Sequence, residues 1–368
     1  MKKILILGGA KNINKKREEI IFKELSKEYE LHILQKNTKY SVKNIKYHTY
    51  KKEIESKIIK QLSKVKFDYI YFIPSGPHDQ YDLAINLKKE LKAKLVWHVY
   101  DCIYHKSFHN ITTSWYFRFI KKNPISNLKK IEIKTAKETD YFIFVTKQLQ
   151  ELYIKRYGNY IKNNSVVIPN MFFDEKKINT QEIKTKKHKL IYAGLTVYPR
   201  LLIPLFKALL FIKTKKQIEF DIYGKLFFLD KYFLKIIRPF LSKKIKINYK
   251  GFIPRDELER TLAKEQNPLY IVVDAIYFKK DYPFLPLKTI DYLSFGAKIL
   301  AITPKNSPSE EVLSKYSKGY VVRFNPIKIA RKLEKIFEEN LALKQKDYEL
   351  IDQYNLRKQA HKFNRAFK

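Results

Sequence analysis

Twelve short apolar runs, each bounded by polar or turn-forming residues, constrain this chain more than any other feature. In the first half they are Ile4–Leu7, Leu31–Leu34, Tyr69–Ile73, Leu95–Val99, Tyr141–Val145 and Val166–Ile168. In the second they are Leu190–Ala193, Ile218–Tyr223, Ile245–Tyr249, Tyr270–Val273, Ile299–Ile302 and Tyr320–Phe324. Runs without polar alternation suit strands covered on both faces of a parallel sheet. Helical patterns fill the gaps. Ile329, Leu333, Ile336 and Phe337 fall at i, i+4, i+7 and i+8, one apolar stripe, and Asn325-Pro326 ahead of them supplies an N-cap and an N1 proline. Strand alternating with helix makes βαβ units, so six strands in each half predict an α/β protein of two doubly wound, Rossmann-like domains.

A length of 368 residues agrees with two domains. Their predicted spans are 1–175 and 186–345, with the polar stretch Asp174 to Lys189 as linker. A C-terminal helix over about 346–368 is expected to pack back on the first domain. A chain that is 45% hydrophobic is not disordered. The single cysteine, Cys102, excludes an intramolecular disulfide framework and a multi-cysteine zinc site, and fits a reducing compartment. The apolar run Ile4 to Leu7 is shorter than the roughly 7–15 residues of a signal-peptide core. Leu201 to Ile212, broken by Pro204 and Lys207, falls short of the ~20 residues that cross a bilayer. A cytoplasmic protein is expected.

Seventy-five basic residues against 37 acidic ones leave a formal charge of +38. Such a surplus attracts any polyanion, whether nucleic acid, anionic lipid or a phosphorylated substrate. Lys exceeds Arg, Gly is scarce and the charges are spread along the chain, which compositional drift also produces. Charge alone names no partner.

The strand-end loops are more informative. Gly8-Gly9-Ala10 follows the first run, and glycine lets backbone amides approach a phosphate or sugar. Ala10 and Ile13 break the G-x-G-x-x-G spacing, so a dinucleotide dehydrogenase gains little support and a plain tight turn fits as well. Gly194 ends another run, and Arg200 stands six residues on, at the expected start of a helix, where a guanidinium could grip a diphosphate bidentately. In Pro286-Leu287-Lys288-Thr289-Ile290-Asp291-Tyr292-Leu293-Ser294-Phe295-Gly296, Pro286 reads as helix N1 and Gly296 as its C-cap. Lys288 and Asp291, at i and i+3, share one face. They could meet a phosphate and a ribose, or simply form a surface ion pair.

In order along the chain, these pieces resemble the GT-B glycosyltransferases, particularly the retaining family 4-like group. Glu132 with Thr139-Asp140-Tyr141-Phe142-Ile143-Phe144-Val145-Thr146 resembles the family's "E…aD-ii-vS" passage, and Tyr157-Gly158 with Val167-Ile168-Pro169-Asn170 its "yG…viPN" passage. Gly194 to Arg200 resembles the diphosphate loop, Phe220 to Gly224 and Tyr249 to Phe252 the next two strand ends, and Pro286 to Gly296 the "P-x-K-x-x-E-Y-x-x-x-G" variant. Asp291 replaces a Glu, Leu195 an Arg, and Pro283 the first acid of the family's Glu pair.

The resemblance implies a nucleotide-diphosphate sugar, of UDP or GDP type, as co-substrate with no other cofactor and no metal. Gly8 and Gly9 would border the site. Gly224 and Phe252 would lie beside the base, Asp291 would bind the ribose, Gly194, Arg200 and Lys288 the diphosphate, and Glu311 would lie near the same pocket. On the acceptor side, His98 or Asp101 would orient the acceptor hydroxyl or touch the sugar, with His78 a weaker candidate. A histidine in an apolar run is also an ordinary core residue. The aromatic and basic segments Tyr104 to Lys137 and Lys231 to Lys244 read either as docked helices or as contacts with an anionic membrane. The implied activity is transfer of a hexose-type sugar to a glycan or lipid-linked acceptor in bacterial surface polysaccharide, lipooligosaccharide or capsule assembly. Retention of configuration and a place on the cytoplasmic face of the inner membrane come with it. A GT-B nucleotide-sugar epimerase and a non-catalytic nucleic-acid binder are the rivals. No nucleic-acid-binding motif supports the second.

Overall fold

The computed structural model describes residues 1–8, 15–35, 46–49, 55–74, 79–103, 124–172, 187–265, 267–275, 282–339 and 341–368. Two compact units emerge. Among the described residues, one comprises those up to Pro169 together with Asn355–Lys368, and the other Asn170–Tyr354.

Among the described residues the first unit is built on a parallel sheet of seven strands in the order β3-β2-β1-β4-β5-β6-β7. Its strands are β1 (Lys2–Gly8), β2 (Tyr29–Gln35), β3 (Lys46–Thr49), β4 (Tyr69–Ile73), β5 (Lys94–Val99), β6 (Tyr141–Phe144) and β7 (Ser165–Val167). The count corrects the expected six. Strand β3 reads Lys-Tyr-His-Thr and, among the described residues, stands at the sheet edge, paired only with β2, so it lacks the apolar run that marks strands covered on both sides.

In the second unit, among the described residues, six parallel strands follow the order β10-β9-β8-β11-β12-β13. They are β8 (Lys187–Ala193), β9 (Gln217–Tyr223), β10 (Ile245–Gly251), β11 (Leu269–Val273), β12 (Lys298–Ile302) and β13 (Gly319–Val322). Counted from β8, this is the doubly wound 3-2-1-4-5-6 order. Strand β8 starts at Lys187, before its apolar run, because Lys189 is held by Asp221 of β9 at 2.7 Å. The helix Pro326–Glu338 lays Ile329, Leu333 and Ile336 on a core with Leu190, Ile222, Ile271 and Leu300. As expected, Asn325 caps it, its side chain accepting from the Lys328 amide at 3.0 Å, with Pro326 first in the helix.

The helix Gln345–Gln353 belongs to the second unit, and the chain from Asn355 onward to the first. There Phe363 and Phe367 are fully buried. The Phe367 ring lies 5.7, 5.5 and 5.3 Å from those of Tyr29, Tyr69 and Tyr71, and Asn364 hydrogen-bonds Glu28. Among the described residues no helix is long and apolar enough to cross a membrane.

Candidate functional site

In open α/β sheets ligands bind beyond the carboxyl ends of the strands where the strand order reverses. In the second unit that point lies between β8 and β11, which pair directly. Strand β8 runs into Gly194, β11 into Asp274. The Gly194 backbone has φ +140°, and a Cβ there would stand 2.8 Å from the Lys288 ammonium. Next to it, a Cβ on Gly224 would collide with the Gly194 carbonyl, whereas the Gly194 amide donates to Tyr223 O at 2.9 Å. Two strand-end glycines thus bring bare backbone close to a cation.

Lys288 reaches this point from the helix Leu287–Leu293. Tyr292 of that helix pins it to β8, its hydroxyl accepting from the Ala193 amide at 3.0 Å while its ring stacks on Tyr270 at 4.3 Å. The Lys288 ammonium lies over the Tyr192 ring, 3.8 Å from its centre. Burial first, then the positive field of Arg200, lower its pKa to about 7, and Asp274 opposes them. The helix bounds differ slightly from expectation. Pro286 is the N-cap residue rather than N1, and Ser294 rather than Gly296 is the C-cap; Gly296 follows two residues later at φ +66°.

Arg200 is not at a helix start. It closes a tight turn by pairing with Val197, and the helix begins only at Ile203. Its charge acts on Lys288, Asp274 and Tyr192. The turn is tied down by Asp230, a buried carboxylate that accepts from the Leu202 amide at 2.8 Å.

Sequence reasoning missed Asp274. It is fully buried, and one carboxylate oxygen accepts from Thr303 at 2.5 Å. Among the described residues its Oδ1 has no hydrogen-bond partner. Thr303 is bonded to Ser307 at 2.6 Å, and Ser307 caps the helix Pro308–Lys315 by accepting from the Glu310 amide. Desolvation raises the Asp274 pKa to about 6 against the pull of Thr303, Ser309, Arg200 and Lys288. The available signal was an acid placed directly after a fully apolar run.

The remaining donor-side candidates divide. The Gly224 amide donates to Gly251 O at 2.6 Å, joining the ends of β9 and β10, and Phe252 beside them is exposed. Asp291 is partly exposed and lies 3.6 Å from Arg255, a second residue the sequence did not single out. Glu311 is exposed and paired with Lys315 one turn on.

In the first unit, His98 has no exposure. Its Nδ1 lies 2.7 Å from the Tyr71 hydroxyl, and its ring stacks on Tyr100 at 4.1 Å. Burial, then Arg17, push its pKa well below the usual histidine range. The imidazole is packed in the core, the other of the two readings the sequence allows. Asp101 is exposed at the end of β5. Gly8 ends β1, where a Cβ would strike the Ile73 carbonyl of β4. Glu132 is a buried structural carboxylate held by Arg156 at 3.2 Å and by the Tyr157 hydroxyl. Gly9, His78 and the segment from Tyr104 to residue 123 lie outside the described residues, as do residues 174–186 of the expected linker. Among the described residues no group of His, Cys, Asp and Glu could hold a metal ion.

No protein-family model and no curated protein matches this chain by sequence. Solved structures do match it by fold. HepE from Anabaena, in complex with UDP and glucose, superposes with a TM-score of 0.65 at 12% identity, covering 99% of this chain and 98% of that one. The lipopolysaccharide outer core galactosyltransferase WaaB matches with a TM-score of 0.65 at 14% identity over 99% and 98% of the two chains. Sucrose-phosphate synthase from Thermosynechococcus elongatus gives 0.68 at 11% identity over 100% and 98%. With two parallel sheets of doubly wound order and this likeness along its whole length, the chain has the GT-B fold of paired Rossmann-like units.

Proposed function

We propose that the protein is a glycosyltransferase that binds a nucleotide-diphosphate sugar at the second unit. The reading rests on one observation: at the β8–β11 switch point Lys288 lies against the bare backbone of Gly194, and its charge, that of Arg200 and the Asp274 carboxylate act on one another. As a sugar–phosphate bond lengthens, negative charge grows on the departing diphosphate. Cations fixed there in advance favour that state over the ground state. Arg200, held in its turn by the Asp230-tethered loop, would take the phosphate oxygens bidentately; Lys288 would complete the charge. Asp291 would accept from the ribose hydroxyls, exchanging its Arg255 partner for them, with Gly224 and Phe252 beside the base. Asp101 would face the acceptor. The donor is a UDP or GDP sugar and no metal takes part; HepE, with UDP bound, shares the fold and supports the nucleotide class. The acceptor is a glycan or a lipid-linked sugar in surface-polysaccharide assembly, transfer retains configuration, and the enzyme works at the cytoplasmic face of the inner membrane. WaaB, a lipopolysaccharide galactosyltransferase, supports that setting.

Thermal-shift measurements against UDP, GDP, ADP, CMP and their sugars test the reading, since a ligand at 100 times its Kd adds about 2.7 kcal/mol of stability. A shift with one nucleoside diphosphate, lost in Arg200→Ala, is expected. No shift with any of them would overturn it. Sugar release from the donor with and without acceptor separates transfer from epimerisation.

A further inference from the structure

The helix Phe228–Ile237 and the short turn Arg238–Phe240 that extends it leave large apolar side chains uncovered. Phe228 is 64% exposed, Tyr232 67%, Ile236 46% and Phe240 75%. They stand at i, i+4, i+8 and i+12, a single slowly drifting stripe. The inward side of this helix is already occupied, with Asp230 and Ile237 buried and Asp230 bonded to Leu202.

The charge around the stripe has one sign. From Ile222 through Arg255 the sequence holds nine basic residues and a single acid, Asp230, which is buried. Lys231, Lys235, Arg238, Lys243 and Lys244 are all exposed. The adjoining stretch from Leu201 to Lys216 contains no acid, and Lys207 from it lies 5.5 Å over the Phe233 ring.

We propose that this face of the second unit lies on an anionic lipid bilayer, the stripe entering the headgroup boundary and the flanking cations meeting lipid phosphates. This deepens the membrane setting suggested above. Aromatic and aliphatic side chains flanked by Lys and Arg are what an in-plane interfacial helix needs. A second copy of the chain fits poorly. A twofold contact through this face would set the same five cations against each other with no exposed acid of their own segment to meet them.

The test uses the full chain with vesicles of phosphatidylcholine alone or mixed with phosphatidylglycerol, at low and high salt. Sedimentation with the phosphatidylglycerol vesicles is expected, weakened about tenfold or more by removing the anionic lipid or by high salt. The variant Phe228→Ser/Phe240→Ser keeps every charge and should bind those vesicles on the order of tenfold more weakly. Both residues are exposed, so its thermal midpoint and nucleotide shift should match the parent. Undiminished binding of that variant would show general charge attraction and overturn the proposal. So would absence of sedimentation, a dimer that the same variant dissociates, or salt-steep binding to duplex DNA weakened by it. Nucleotide shifts recorded on the same samples separate failure of this surface from failure of the glycosyltransferase reading.

Discussion

Lys288 holds its ammonium against the face of Tyr192, at 3.8 Å from the ring centre, just beneath the bare α-carbon of Gly194. The aromatic face favours the charge that burial disfavours. The missing side chain of Gly194 leaves the ammonium within reach of the loop surface. Gly194→Ala would put a methyl 2.8 Å from the ammonium and force a backbone conformation, φ +140°, that alanine avoids. Roughly tenfold weaker sugar-nucleotide binding is expected, measured by titration calorimetry.

Removing either cation should cost more. A hydrogen bond to a charged group is worth about 1.5–3 kcal/mol, so Arg200→Ala and Lys288→Ala should each weaken nucleotide-diphosphate binding by about 10- to 100-fold. Because Arg200 depresses the Lys288 pKa, the two effects should not add, and the double variant gives the coupling directly.

Binding should depend on pH through Lys288. Its pKa is about 7 in the free protein, and a bound diphosphate raises it. Affinity is then constant below about pH 7 and falls as pH rises beyond it, by up to about tenfold per unit, until the liganded pKa is passed. A sugar nucleotide is the right probe, since its diesterified diphosphate does not titrate near neutrality. In Asp274→Asn the fall should begin at lower pH, because a group that supports the charged lysine is gone.

Asp274 also carries a stability cost. Its pKa rises from 3.8 to about 6, and burial is the main cause. A carboxyl with a raised folded pKa gives stability that is full below the unfolded value and lost as pH rises through the folded one. At about 1.36 kcal/mol per unit, the ionised form costs about 3 kcal/mol. Asp274→Asn should therefore melt higher than the parent near pH 8 and alike near pH 4, read by calorimetry.

Phe367, buried among Tyr29, Tyr69 and Tyr71, is a core residue of the first unit. Phe367→Ala should destabilise that unit by about 3–5 kcal/mol, seen in urea unfolding.

What the sequence reveals follows from how each residue is used. Strands β4 and β11 are buried along their whole length, so nothing polar interrupts their runs and both are plain to read. Strand β3 is an edge strand of mixed polarity and left no such trace. Arg200 and Lys288 could be singled out because each follows a glycine or proline in a strand-end loop by a short spacing. Asp274 was not, because its meaning arises from Thr303, Arg200 and Lys288, brought to it only by folding. His98 shows the opposite case: chemically suggestive in the sequence, it is locked between Tyr71 and Tyr100.

The contribution of Phe363 and Phe367 to the first sheet has a consequence for biosynthesis. The amino-terminal half leaves the ribosome early, with its seven strands already translated, yet its hydrophobic interior stays open on one side until the whole of the second unit has been made. A growing chain must therefore guard that gap, and stalled or prematurely terminated products would expose Tyr69 and Tyr71 to whatever lies nearby.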